Sequence, residues 1–186
     1  PTLRGNTIRD CAGVGIKGQD YAKPTILGNQ ILDNTLEGIH SCDGLIQGNT
    51  ISGNLAGIAD CDGAILDNTI SHNADAGGLY SCSGEIAGNV ITGNYAPAEG
   101  GGLFECTGPI HNNVITGNRA GTQGGGLYAC TKAIYNNTIV GNRAGEAGRP
   151  GFPGLRGARP PQLTSVNSSC GRLVRHAKGG RVDGSS

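Results

Sequence analysis

The sequence predicts an all-β fold, a right-handed parallel β-helix of about six coils with three short strands per coil. The first observation is a repeated segment in which an Asn is followed two residues later by Ile and five residues later by a second Asn. It begins at Asn29, Asn49, Asn68, Asn89, Asn113 and Asn137. A seventh copy begins at Asn6, with Cys11 in place of the second Asn. The first Asn residues lie 23, 20, 19, 21, 24 and 24 residues apart, and such a period indicates a solenoid.

The first strand of each coil is predicted around the Ile inside this segment. The resulting column is Ile8, Ile31, Ile51, Ile70, Ile91, Ile115 and Ile139. Equivalent residues of stacked coils lie about 4.8 Å apart, so this column would form an aliphatic ladder in the interior. No period contains apolar residues at i, i+3, i+4 and i+7, and a helical repeat is therefore excluded.

Two further strands are predicted in each period. The second follows a Gly just after the second Asn and contains Ile16, Ile39, Ile58, Leu79, Leu103 or Leu127. The third forms another aliphatic ladder, made of Ile26, Ile46, Ile65, Ile86, Ile110 and Ile134. Gly and Asn between the strands suit corners that need a positive φ. The two Asn columns predict asparagine ladders in which each amide bonds to the next.

The repeats predict a β-helix domain over residues 1–145 and a separate basic, Pro/Gly/Arg-rich tail over 146–186. Residues 1–145 carry 7 Lys and Arg against 12 Asp and Glu, whereas the tail carries 7 against 2. The tail is expected to run extended, with a short helix over 168–178. It could cap the last coil through Phe152, Leu155, Leu163 and Leu173. A disordered tail, or a truncated or frame-shifted gene end, is the alternative.

Five of the seven cysteines form one column three residues after the second-strand aliphatic: Cys42, Cys61, Cys82, Cys106 and Cys130. We expect them to be buried and reduced, because parallel side chains on stacked coils suit a disulfide poorly. Ligands in a straight line cannot surround zinc tetrahedrally, so no metal site is expected. Cys11 and Cys170 lie outside the column, and the sequence leaves open whether they are reactive or paired.

Charge and hydropathy exclude some partners. The mildly acidic body lacks the basic stripe of a nucleic-acid-binding protein, and no run of 18 apolar residues predicts a membrane span. The chain starts in mid-pattern without a signal peptide, so we expect a mature form or part of a longer protein. Its first coil would expose strand edges and the apolar Leu3, Ile8, Val14 and Ile16. A homodimer through this open N-terminal end is therefore expected.

The pattern G-G-[LI]…N-x-I-x-x-N resembles the right-handed β-helix repeat family of the pectin-lyase-like superfamily. The copies GNRAGTQGGGLYAC and GNYAPAEGGGLFEC are also similar to repeats of bacterial surface proteins and polymorphic outer-membrane proteins. The resemblance covers residues 1–145. It implies the fold, while its members include lyases, hydrolases, epimerases, tailspikes and adhesins. Function must therefore be inferred from the side chains of a site.

The candidate site is the outward face of the second strand, where the resemblance implies that enzymes of the superfamily bind substrate. The expected ligand-binding residues are Tyr80, Phe104, Tyr128 and Asp43. The expected catalytic residues, if the protein is an enzyme, are Asp60, Asp62, Glu105 and His40. Flat aromatics pack on sugar faces, and carboxylates bind hydroxyls, hold calcium or act as acid and base. An ordinary solvated strand face would show the same alternation, and this alternative stays open.

The sequence favours a non-catalytic extracellular module, a surface or carbohydrate-binding part of a larger bacterial protein. The alternative is a polysaccharide-active lyase or glycoside hydrolase on the same face. The lyase arginine and the hydrolase pattern of clustered Asp with Gly-His-Gly, both implied by the resemblance, are absent from this face. Short coils also leave little to wall a cleft. No obligatory cofactor is expected, and calcium stays open.

Overall fold

The computed structural model describes residues 1–145 and the backbone of Ser165–Val166. Within these residues there are 23 short strands and no helix, arranged in three seven-stranded sheets and one two-stranded sheet. Almost every strand pairs in parallel with its counterpart one coil later. The chain makes six complete coils and two strands of a seventh, which confirms the predicted parallel β-solenoid.

The first sheet contains the third strand predicted in each coil, which carries the aliphatic ladder that includes Ile26. They are Thr2–Arg4 (β1), Thr25–Leu27 (β4), Ile46–Gln47 (β7), Ile65–Leu66 (β10), Ile86–Ala87 (β13), Ile110–His111 (β17) and Ile134–Tyr135 (β21). One aliphatic residue per strand points inward, and those from Ile26 to Ile110 are fully buried. The end members Leu3 and Ile134 are only partly buried.

The second sheet contains the strands of the Asn-bounded segments. They are Thr7–Arg9 (β2), Gln30–Leu32 (β5), Thr50–Ser52 (β8), Thr69–Ser71 (β11), Val90–Thr92 (β14), Val114–Thr116 (β18) and Thr138–Val140 (β22). In each strand the central Ile points inward and its two neighbours point out. This period of two is what a strand with one buried face requires.

The third sheet contains the second strand predicted in each coil, and it therefore carries the candidate site. Its parallel strands are Ile16–Lys17 (β3), Ile39–His40 (β6), Ile58–Ala59 (β9), Leu79–Tyr80 (β12), Leu103–Phe104 (β16) and Leu127–Tyr128 (β20). The seventh strand, Ser165–Val166 (β23), pairs antiparallel with β20. A small sheet of Tyr95–Ala96 (β15) and Arg119–Ala120 (β19) lies in the chain between the second and third sheets.

Coil length varies mainly at one corner, which joins the second sheet to the third. The step from Ile51 to Ile58 across this corner is seven residues, whereas the step from Ile91 to Leu103 is twelve. The step from the first sheet to the second is five residues in every coil, as between Ile26 and Ile31. The extra residues of the later coils form β15 and β19.

Both asparagine ladders are present and buried. Every Asn from Asn29 to Asn118 in the two columns is at most 3 % exposed. The side-chain Oδ1 accepts hydrogen bonds from the backbone N–H and the Nδ2 of the Asn one coil earlier, as Asn54 does from Asn34. Asn34 itself accepts from the N–H of Cys11, which takes the place of an Asn in the first coil. Among the described residues no buried side-chain nitrogen or oxygen lacks a partner. The ladders therefore satisfy the polar groups at two of the three corners.

The cysteine column lines the third corner. Cys42, Cys61, Cys82 and Cys106 are fully buried, and the described cysteines form no disulfide. The backbone N–H of Cys42 donates to Sγ of Cys61 at 3.3 Å, so a thiol here accepts a bond that an amide oxygen accepts elsewhere. The prediction of burial was wrong for Cys130, which is partly exposed. Cys130 is the last member of the column, whereas Cys61, Cys82 and Cys106 each have another thiol of the column on both sides.

Some predictions concern residues beyond those described. The short helix over 168–178, the cap through Phe152, Leu155, Leu163 and Leu173, and the state of Cys170 all lie outside the described residues. Cys11 is described and is a partly exposed free thiol. No helix among the described residues is long and apolar enough to cross a membrane.

Candidate functional site

The outward face of the third sheet carries an aromatic column formed by Tyr80, Phe104 and Tyr128. The register pairs Tyr80 with Phe104 and Phe104 with Tyr128. The ring centroids lie 5.3 and 5.8 Å apart, with interplanar angles of 8° and 4°. The predicted aromatic strip is therefore a continuous stack of parallel rings, each partly exposed.

The stacking decides which part of each ring a ligand can reach. Because the rings lie face to face, Phe104 is covered on both faces by its two neighbours. Their edges remain at the surface, together with the hydroxyl groups of the tyrosines. A sugar that packs flat on an aromatic face, as the sequence suggested, would have to do so at an end of the column.

The same face changes character towards the N-terminus. Tyr80 pairs with Ala59, and Ala59 pairs with His40. Ala59 shares the outward register position of Tyr80 and His40, but it is only 3 % exposed. Its methyl group lies between two much larger side chains, and they cover it. His40 and the aromatic column consequently form one continuous surface, and Ala59 lies beneath it between His40 and Tyr80.

His40 bonds to two polar residues. Its Nδ1 lies 2.7 Å from Oγ of Ser41, and its Nε2 lies 3.2 Å from Oδ2 of Asp60. The side chain of His40 is 25 % exposed, and that of Asp60 is 47 % exposed. His40 and Asp60 were both expected at the site, and the structure brings them together. Ser41 was not among the predicted site residues, although it directly follows His40 in sequence.

A second predicted group, the carboxylates beyond the cysteine column, forms its own line of contacts. Asp43 Oδ1 accepts a hydrogen bond from the backbone N–H of Asp62 at 3.1 Å. Asp62 Oδ1 in turn accepts a short hydrogen bond from Oγ of Ser83. Asp43 and Asp62 thus link successive coils, which is a structural use of their carboxylates.

Glu105 is separated from the other acidic groups. It occupies the same corner position as Asp60, but two coils later. The two backbones are therefore on the order of 10 Å apart at about 4.8 Å per coil. Glu105 is exposed and follows Phe104, so it lies at the side of the aromatic column. The structure groups it with the aromatic residues rather than with His40.

The described residues offer no evident site for a metal ion. Among the described residues there is no group of three or more His, Cys, Asp or Glu side chains that could hold an ion. The inner thiols are also poor ligands, because a thiolate is the binding form. Burial raises the pKa of Cys42 to about 11 and also raises the pKa of Cys61. The pKa of Cys106 is raised by its hydrogen bonds with Cys130 and Cys82, and then by burial.

Cys130 differs from the inner thiols. A hydrogen bond from the Cys106 thiol lowers the pKa of Cys130 below its ordinary value, although burial acts in the opposite direction. The thiolate form is the nucleophile. Cys130 is therefore the cysteine of the column most open to modification, because it is partly exposed and its pKa is lowered.

Comparison with known proteins finds a family model that matches the N-terminal repeats. Residues 1–91 match the model of a family described as right handed beta helix region. This stretch includes His40, Asp60 and Tyr80. A search of curated proteins and a search of solved structures each found no match. The family match and the parallel sheets together confirm the resemblance to right-handed β-helix repeats.

Proposed function

We propose that this right-handed β-helix is a carbohydrate-binding module of a larger bacterial protein, displayed outside the cell, and that it does not cleave glycosidic bonds. The observation that carries the proposal is the aromatic column of Tyr80, Phe104 and Tyr128 beside the carboxylate of Glu105. Aromatic rings with a polar tip combine apolar contact area with a hydrogen-bonding group. Sugars offer both kinds of surface.

The stacking suggests how a glycan would lie. The column runs parallel to the solenoid axis and spans three coils, so it suits an extended chain rather than a single sugar. Ring edges would contact the apolar patches of the sugars, and the hydroxyls of Tyr80 and Tyr128 would bond to sugar hydroxyls. Glu105 accepts hydrogen bonds from sugar hydroxyls at the side of the column.

Two observations weigh against glycosidic cleavage. Asp43 and Asp62 hold neighbouring coils together, so their carboxylates already have partners. Within residues 1–145 the strand face carries no long loop on the side of the cysteine column, where the step from Leu79 to Ile86 is only seven residues. A flat, open face excludes water poorly. If the alternative lyase or hydrolase function were correct, Asp60 or Asp62 would be required for it.

A glycan array followed by affinity measurement on the best ligand tests the proposal. The variant Tyr80→Ala/Tyr128→Ala should lose binding, because the two tyrosines supply both hydroxyls and the ends of the column. Tyr135→Ala is the matched control, since Tyr135 is an exposed tyrosine stacked on His111 in the first sheet. Unchanged affinity in the double variant would place the ligand elsewhere.

The same samples test for cleavage. Reducing-sugar and unsaturated-product assays on the bound glycan should show no turnover. Turnover that disappears in Asp60→Ala/Asp62→Ala would establish the enzyme function instead. Turnover that persists in this variant would place catalysis outside the face described here.

A further inference from the structure

Ser41, His40 and Asp60 form a chain of hydrogen-bonding groups at the N-terminal end of the site. One imidazole contacts a hydroxyl at 2.7 Å through Nδ1 and a carboxylate at 3.2 Å through Nε2. We propose that these residues form a nucleophilic relay in which Ser41 accepts acyl groups from small activated esters and passes them to water. This activity goes beyond glycan binding and does not depend on it.

The carboxylate fixes the direction of the relay. An ionised carboxylate only accepts hydrogen bonds, so the contact at Nε2 is made by an N–H of the ring. With its proton on Nε2, the neutral imidazole keeps a lone pair on Nδ1. That lone pair faces the Oγ of Ser41, which therefore donates. His40 is placed as a general base towards Ser41, and Asp60 orients it.

The two ring nitrogens have exchanged places relative to the usual serine protease arrangement, where the serine bonds to Nε2. This exchange does not alter the chemistry, because such a triad is defined by geometry and by the role of each group. Either nitrogen of a neutral imidazole can take a proton while the other donates one.

The backbone holds the three residues in register. His40 is the last residue of β6, and Ser41 follows in the left-handed region at φ 52°. Asp60 occupies the same corner one coil later at φ 51°, and the Ser41 N–H donates to the Ala59 carbonyl at 3.1 Å. A ladder bond therefore fixes the coil of the nucleophile to the coil of the carboxylate.

Each step balances. The Oγ of Ser41 attacks the ester carbonyl, an Oγ–C bond forms, and the hydroxyl proton moves to Nδ1 of His40. The tetrahedral adduct expels the alcohol portion, which takes that proton from Nδ1, and an acyl-Ser41 remains. Water then attacks the acyl carbon and gives a proton to Nδ1. Ser41 departs and recovers the proton, so the products are one carboxylic acid and one alcohol. Asp60 stays ionised throughout.

The surroundings of Ser41 set the substrate class. The N–H groups of Ser41, Cys42 and Asp43 already donate to the Ala59 carbonyl, Cys61 Sγ and the Ala22 carbonyl. None of these three backbone donors is left to bind an oxyanion. A single oxyanion donor is worth about 10²–10³ in rate, so hindered esters and amides should not react. Small acyl groups with a good leaving group are the expected substrates.

Labelling with a fluorophosphonate, followed by peptide mass spectrometry of the whole chain, tests the relay. Ser81 is an internal control, because it occupies the same corner at φ 49° but follows Tyr80 instead of a histidine. A positioned general base contributes about 10²–10⁴ in rate. Ser41 should therefore be labelled at least about 100-fold faster than Ser81. Equal labelling of the two serines would overturn the proposal without the need for any variant.

Hydrolysis of p-nitrophenyl acetate gives the second readout. Ser41→Ala should abolish the activity, His40→Gln should lower it about 100-fold, and Asp60→Asn should lower it more than about tenfold. Ser81→Ala should leave it unchanged, and circular dichroism should show all variants folded. Hydrolysis that survives Ser41→Ala or His40→Gln would also overturn the proposal. Glycan binding is measured separately, so loss of one property without the other tells the two proposals apart.

Discussion

Asn89 accepts two hydrogen bonds from Asn68 on the previous coil, from its backbone N–H at 2.9 Å and from its side-chain Nδ2 at 3.0 Å. A single amide oxygen thus satisfies two buried donors. Asn89 also donates through Nδ2 to the Ile65 carbonyl at 2.8 Å and to Asn113 at 3.0 Å. The relationship recurs along the ladder, so each buried Asn supports the coils on both sides of it.

Replacing Asn89 with Ala should therefore destabilise the whole solenoid. The change removes the acceptor of the buried Asn68 backbone N–H and one of the acceptors of Asn68 Nδ2, which keeps its bond to the Ile46 carbonyl. A buried polar group that loses its partner costs about 1–3 kcal/mol. We expect the free energy of unfolding in denaturant titrations to fall by at least about 2 kcal/mol. Gln30→Ala, at an exposed position of strand β5, is the control and should have little effect. A loss no larger than that of the control would contradict the ladder's role.

Gly84 should not tolerate a side chain. A Cβ at this position would lie far inside the 3.0 Å that real Cβ atoms respect, against the carbonyl oxygen of Gly63 on the preceding coil. Gly84→Ala must push two coils apart, at a cost of about 3 kcal/mol. Gly13→Ala is the matched control, because a Cβ there meets nothing within 4 Å. Thermal unfolding of both variants measures the difference, and equal melting temperatures would argue against close stacking at this corner.

Stability should fall in alkaline solution because of the buried thiols. Burial raises the pKa of Cys42 from its ordinary 9.0 to about 11 in the folded protein. The folded state therefore keeps its proton where the unfolded chain has lost it, and the stabilisation is complete below pH 9. It is lost as the pH rises from 9 to 11, by up to about 3 kcal/mol for two pKa units. Denaturant titrations at these pH values should show a smaller loss in Cys42→Ala, and an identical loss would assign the effect to other groups.

The 186-residue chain should self-associate through the edges of β1, β2 and β3. Among the described residues, β1, β2 and β3 have neighbours on only one side, and Leu3 and Ile8 are only partly buried. Free strand edges pair readily with other chains. Light scattering at increasing concentration should show dimers that Leu3→Lys/Ile8→Lys abolishes. Val140→Lys, on an exposed position of the last coil, should leave them intact. A protein that stays monomeric at high concentration would refute this expectation.

The fold could be predicted from the sequence because the spacing of the repeated residues gives the register between successive coils. The constant step of five residues from Ile26 to Ile31 recurs in every coil, so column membership follows directly from residue numbers. The same counting placed Tyr80 and Phe104 in one column. Counting does not give side-chain torsions, however. The face-to-face stacking of the rings and the contact between Ser41 and His40 depend on those torsions, and the sequence analysis missed both.

Burial at single positions also escaped prediction. Ala59 occupies an outward register position, yet its small side chain is covered by its larger neighbours, which is a property of three coils together. Cys130 shares the pattern of the inner cysteines, but its place at the end of the column leaves it partly exposed. In both cases the repeat predicts the direction of the side chain, and the neighbouring coils decide its exposure.

The corner between the second and third sheets has a consequence for how such a protein can change. It already accepts seven residues between Ile51 and Ile58 and twelve between Ile91 and Leu103, while both asparagine ladders stay in register. Segments inserted after the second Asn of the repeat would border the aromatic column, and the two ladders would keep their register. A lineage could therefore lengthen the loops beside the outward face of the third sheet at little cost to the stability of the solenoid.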